Sequence, residues 1–93
     1  MLEHQVLRTI AVGRHVLLIA DFTVSPGSEL DGAAVQAAHQ TGLVRLLAVA
    51  PGAGGPVNWS PAADLRLAAQ DRLYVIATRA GLSGILARSL PSR

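Results

Sequence analysis

Cysteine is absent from this 93-residue chain, and only three of its residues are aromatic. The absence of cysteine excludes disulfide bonds, thiolate metal sites and cysteine nucleophiles, and it fits a reducing compartment. No run approaches the roughly 18 apolar residues that a membrane-spanning helix requires. The N-terminal segment carries Glu3, His4 and Arg8 where a signal peptide would need an apolar stretch. We therefore expect a cytoplasmic protein.

Lysine is also absent, so all eight basic residues are arginines, and the formal net charge is only +2. The arginines are scattered and are not interleaved with aromatic residues, as they would be in a nucleic-acid groove. The three histidines, His4, His15 and His39, lie at spacings that match no metal-binding pair. The sequence therefore predicts neither a nucleic-acid partner nor a metal site.

Aliphatic residues, in contrast, are abundant: 51% of the chain is hydrophobic and 15% is charged. A chain of this length makes one domain, spanning 1–93, that is too small to bury most of its apolar surface. Because so few charges are available to cover the outside, we expect a partner chain to cover part of the apolar surface.

The hydrophobic pattern predicts an α+β fold. Leu2, Val6 and Ile10 recur at near-helical spacing and predict a short N-terminal helix that Gly13 ends. The elements predicted after it are strands over 15–24, 43–50 and 72–78, a short strand around 57–59, and helices over 33–40 and 79–90. This order, β-α-β-β-β-α, predicts a small, mainly antiparallel sheet of about four strands with two helices on one face.

The predicted strands are apolar throughout and do not alternate with polar residues, so both faces of the sheet should be covered. The two helices can cover one face. The other face is therefore the expected site of self-association, and we expect a homodimer.

Asp71, Ser28 and Trp59 are candidates for either a functional or a structural role. Asp71 has no base, acid or metal partner nearby in sequence, and its place before a strand predicts a turn acid that accepts hydrogen bonds from backbone N–H groups. Ser28 lies in "PGSEL" and is expected to be a turn or cap residue. Trp59 is explained by packing in the core or at an interface. No catalytic constellation is predicted, and the protein is not expected to be an enzyme.

Arg45 stands alone within the apolar segment "LVRLLAVA". A lone charge in a strand must reach an edge, a partner subunit or an anion. Arg45 is therefore either an arginine on an exposed face or a ligand contact, and the sequence leaves both readings open.

Three separated motifs together resemble a known family. "SPGSELDGAAV", "TGLVRLLAVA" and "WSPAADLRLAAQDRLYVIATRAGL" are similar, in order and spacing, to the TrkA C-terminal domain, also called the RCK C-terminal domain, of potassium channels and transporters. The resemblance covers roughly residues 16–88. Its matching positions are Gly27, Ser28, Leu30, Gly32, Val35, Pro61, Leu67, Asp71, Leu73 and the strand through Ile76, while Gln70 stands where the family has glycine.

The resemblance implies a regulatory, ligand-sensing and dimer-forming domain of a potassium or cation transport system. It also implies a nucleotide-binding domain and a membrane transporter or channel subunit as partners, with this chain either a piece of a longer protein or a separate subunit. Some family members bind cyclic di-AMP between two such domains, and their contacts map onto His39, Arg45 with Leu46, and Pro61. A pure assembly module without a ligand, and a small enzyme with an unrecognised site, are the alternative functions.

Overall fold

One antiparallel sheet and two helices make up the computed structural model, which describes residues 4–39 and 43–91. In chain order the elements are β1 (His4–Val12), β2 (His15–Thr23), α1 (Val35–Ala38), β3 (Val44–Ala50), β4 (Arg72–Ala77) and α2 (Arg79–Ser89). The strands lie in the order β1-β2-β4-β3, and every neighbouring pair is antiparallel. The predicted α+β fold, with a small antiparallel sheet and two helices, is confirmed.

The N-terminal helix expected over residues 2–10 is wrong, because the chain from His4 onward forms β1. β1 and β2 make a hairpin in which Val12 pairs with His15 across the two-residue turn Gly13–Arg14. Gly13 has a φ of 59° and Arg14 does not have a positive φ. Glycine at the first position of a two-residue loop is the signature of a type II′ turn, whose twist matches that of the paired strands. Pairing with β2 therefore outweighs the weak helical spacing.

The short strand expected around 57–59 is also wrong. That segment contributes one isolated antiparallel bridge, between Asn58 and Val49. The backbone N–H of each residue donates to the C=O of the other, at 3.0 and 2.8 Å. The fourth strand of the sheet is instead β1, at the opposite edge.

A single buried cluster lies between the sheet and both helices. α1 contributes Val35 and Ala38, and α2 contributes Leu82 and Ile85. The sheet and the loops add Leu18, Ala20, Phe22, Val24, Leu30, Val44, Leu46, Val49, Leu67, Leu73, Val75 and Ala77. Because one cluster holds residues of both helices, the helices pack on the same face of the sheet. In the described part of the chain, no helix is long and apolar enough to cross a membrane.

The two helices differ in how they begin and end. α1 is only four residues long, and the predicted end of this helix at residue 40 lies outside the described residues. α2 begins after Thr78, whose side-chain oxygen accepts a hydrogen bond from the Gly81 N–H at 3.0 Å, the usual capping contact of a helix N-terminus. Gly81 lies so close to Leu43 that a Cβ there would overlap its carbonyl oxygen.

Candidate functional site

The face of the sheet opposite the helices, here called the open face, carries apolar side chains flanked by arginines. Arg8 pairs with Ile19, Ile19 with Ile76, and Ile76 with Arg45, so these four residues form one row across all four strands. Cross-strand partners project to the same face of a sheet. Both arginines are exposed, and both isoleucines are partly exposed. This row therefore has an apolar centre and a cation at each end.

A groove of about 220 Å³ lies next to one end of this row. Its lining residues are Leu17, Leu43, Val44, Arg45, Ile76 and Ala77. Apart from Arg45, every lining residue has an aliphatic side chain. Such a groove suits a flat apolar group that carries a negative charge at one side, because small-molecule sites combine apolar walls with a few polar groups that fix orientation.

The open face also contains an acid, but that acid is already paired. Asp21 is buried, and its Oδ1 accepts a hydrogen bond from Nη2 of Arg72 at 2.6 Å. Nη1 of Arg72 donates to the Thr23 hydroxyl at 3.0 Å. Among the residues that the structure describes, no carboxylate lies within ion-pair distance of Arg8 or Arg45. The two arginines are therefore the uncompensated charges of the row.

The structure separates Arg45 from the other residues that the resemblance implies as ligand contacts. Leu46, next along β3, is buried in the core on the helix side of the sheet. His39 follows α1 and is exposed. Pro61 opens a segment that runs along α1, where the Gln36 N–H donates to the C=O of Ala63 at 3.0 Å. Within one chain, Arg45 thus lies on the face of the sheet opposite α1, and the four residues do not form one cluster.

Asp71 acts on the backbone of two loops. Its Oδ2 accepts a hydrogen bond from the Ala68 N–H at 2.9 Å, and its Oδ1 accepts one from the Gly52 N–H at 3.0 Å. The carboxylate thereby closes the turn before β4 and fastens it to the loop after β3. The preceding residue, Gln70, has a φ of 75° and is the one non-glycine residue with a positive φ among those described. This is the position at which the resembling family has glycine.

The other motif residues form the turn that leads into α1. Gly27 has a φ of 79° and donates its N–H to Oδ2 of Asp31 at 3.0 Å, while Gly32 has a φ of 88°. Leu30 is fully buried, and Ser28, two residues before it, is buried as well. These residues shape the backbone and the core, and the open face lies on the other side of the sheet.

Two further residues bear on the site. Trp59 is 72% exposed, so it does not pack in the core of this chain, and the interface reading of its role remains. Arg8 is absent from the predicted site residues, because the apolar spacing predicts a helix over residues 2–10. The available signal was Gly13–Arg14, a two-residue glycine turn between two apolar segments, which predicts a hairpin and would have placed Arg8 on a strand.

Comparison of the chain with models of protein families and with curated proteins finds no significant match to either. The resemblance to the TrkA C-terminal domain therefore stays a prediction from the motifs.

Proposed function

We propose that this chain is a cytoplasmic regulatory domain of a potassium or cation transport system, which forms a homodimer and senses an anionic ligand on its open face. In this role it acts together with a nucleotide-binding domain and a membrane transporter or channel subunit. The motif resemblance motivates the transport context. The turn at Gln70 and Asp71 supports the resemblance, because the positive φ of Gln70 is the conformation that the family's glycine adopts at least cost.

The observation that carries the ligand-sensing part is the row from Arg8 to Arg45 and the groove at its end. A guanidinium presents several N–H donors in one plane and forms short, charge-assisted hydrogen bonds to phosphate. The apolar walls from Leu17 and Ile76 give a nucleobase a surface to pack against. A cyclic dinucleotide such as cyclic di-AMP offers both groups in one molecule.

Sensing requires that the ligand bind one state of the protein more tightly than another. In this proposal the two states are monomer and dimer, or two arrangements of one dimer. By linkage, a ligand that favours the dimer is itself bound more tightly by the dimer. A change in ligand concentration thus changes the arrangement of the two copies, and the transporter responds to that arrangement.

The test is calorimetry of the parent and of Arg45→Ala with cyclic di-AMP. Arg88→Ala is the matched control, because it removes one arginine of an ion pair on the helix side of the sheet, where Nε of Arg88 donates to Glu29 at 2.6 Å. We expect binding by the parent and the control and a loss of at least tenfold in affinity for Arg45→Ala, since a charge-assisted hydrogen bond contributes about 1.5–3 kcal/mol.

The assembly-module alternative has one observation in its favour, the partly exposed isoleucines of the open face, which a partner could cover without any ligand. It predicts a stable dimer that gives no binding heat with nucleotides. Equal binding by the parent and Arg45→Ala, or no binding by either, would show that Arg45 does not bind the ligand.

A further inference from the structure

The outer edge of β1 is a second surface that the fold leaves uncovered. β1 is nine residues long, and within the described ranges 4–39 and 43–91 it pairs with β2 alone. Residues 5–9 of the strand are exposed, as are Ala11 and Val12, and the exposed fractions of Val6, Leu7 and Val12 are 46%, 47% and 51%. A long apolar edge strand presents a row of unpaired N–H and C=O groups, and natural proteins normally blunt or cover such an edge.

The opposite edge of the sheet shows how this chain covers a strand when it does so itself. β3 is bridged at Val49 by Asn58, which uses the outward N–H and C=O of Val49. The helix layer likewise protects the central strands: Ala20 is fully buried, whereas its β1 partner Val6, which projects to the same side, remains nearly half exposed. Among the described residues, β1 therefore has neither a covering loop nor a complete helix layer.

The hairpin geometry shows which backbone groups of β1 point outward. Val12 and His15 close a two-residue turn and are a hydrogen-bonded pair. Because hydrogen-bonded and non-hydrogen-bonded pairs alternate along an antiparallel ladder, Ile10 also bonds to β2, whereas Ala11 and Thr9 direct their N–H and C=O groups away from it. The register shift between Val6 and Arg8 lies outside this regular stretch.

We propose that a second copy of this chain pairs its own β1 antiparallel to this edge and so joins the two sheets into one of eight strands. The inference rests on the proposed homodimer and names its interface. Charge favours β1 over the open face. Stacking two open faces would bring the positive charges of Arg8 and Arg45 of both copies together, and Asp21 could not neutralise them because it is paired with Arg72. β1 carries only one arginine, Arg8, and no acid.

The regular stretch from Arg8 to Val12 sets the register. With the two-fold axis at Ile10, Thr9 of each copy exchanges two hydrogen bonds with Ala11 of the other. Arg8 of one copy then lies opposite Val12 of the other copy, so the two arginines are not directly opposite each other. The two Ile10 side chains meet at a non-hydrogen-bonded pair, where Cα atoms are about 4.5 Å apart.

Cysteine crosslinking tests this register, and the chain has no cysteine of its own to interfere. Two Cα atoms at that separation can be joined by a disulfide, whose range is about 4.4–6.8 Å. We expect Ile10→Cys to form a covalent dimer under mild oxidation. Leu47→Cys, at an exposed position on β3 across the sheet, is the control and should stay monomeric on a denaturing gel. A Leu47→Cys dimer without an Ile10→Cys dimer would overturn the proposal.

Removal of one outward N–H gives an independent test. Proline is tolerated on an edge strand where its missing N–H faces outward, so Thr9→Pro should keep the hairpin and block the edge, while Thr9→Val keeps the N–H. By light scattering at micromolar concentration we expect a dimer for the parent and Thr9→Val and a monomer for Thr9→Pro. Circular dichroism checks that Thr9→Pro is folded, and if it is not, the crosslinking result decides.

The outcomes separate the two proposals. A parent that is monomeric at micromolar concentration overturns the homodimer of the proposed function, and the edge interface with it. A dimeric parent whose Ile10→Cys variant does not crosslink, or whose folded Thr9→Pro variant stays dimeric, overturns the edge interface alone.

Discussion

Gln70 holds a backbone conformation that few side chains adopt. Its φ of 75° lies in the left-handed region, which costs a residue with a Cβ about 1–2 kcal/mol. Three hydrogen bonds around it fix the turn: the Gln70 N–H donates to Val24 at 2.7 Å, and both oxygens of Asp71 accept backbone N–H groups. The turn therefore stores strain that its neighbours compensate.

Replacement of Gln70 by glycine should stabilise the fold. Glycine removes the left-handed cost but loses about 0.5–1 kcal/mol of chain entropy on folding, so we expect Gln70→Gly to raise the free energy of unfolding by about 0.5–1 kcal/mol. Gln36→Gly, the same change within α1, is the control and should lower it. Urea unfolding measures both, and a Gln70→Gly variant less stable than the parent would show that the side chain of Gln70 contributes more than its backbone costs.

At the scale of elements, the strength of the local signal decided which predictions succeeded. The segments that became β2, β3, β4 and α2 combine a long apolar run with clear breakers, and each of these elements was predicted at nearly its observed position. β1 was missed because Val6 and Ile10 match a helical period by chance, and strand pairing with β2 is a tertiary interaction that periodicity does not report. The open face was predicted, but its second arginine could not be placed without that hairpin.

The packing of α2 supplies a matched pair of glycines. A Cβ on Gly81 would overlap the backbone of Leu43, whereas a Cβ on Gly84 meets nothing within 4 Å. We expect Gly81→Ala to lower the free energy of unfolding by about 1–3 kcal/mol through overpacking. Gly84→Ala should raise it by about 0.5–1 kcal/mol, because alanine favours the helix over glycine. Thermal unfolding of both variants checks the opposite signs, and a neutral Gly81→Ala would mean that α2 can shift away from β3.

At the scale of the whole molecule, the two uncovered surfaces differ in the force that a partner would use. The β1 edge offers backbone hydrogen bonds and apolar side chains, with Arg8 its one arginine among the described residues. The open face offers Arg8 and Arg45 at the ends of an apolar row. One surface thus favours a copy of the same strand, and the other favours an anion.

Ionic strength should separate these two surfaces in one preparation. At 1 M salt the Debye length is about 3 Å, against about 10 Å at 0.1 M, so attraction between an exposed arginine and a phosphate is strongly screened. We therefore expect cyclic di-AMP to bind at least tenfold more weakly to the parent at 1 M than at 0.1 M, while the light-scattering mass remains that of a dimer. The hydrogen bonds and apolar contacts along β1 do not depend on attraction between charged groups, so added salt should leave the two copies together. A dimer that dissociates with added salt would instead place ion pairs at the interface, and ligand binding that ignores salt would mean that the open-face arginines do not hold the phosphates.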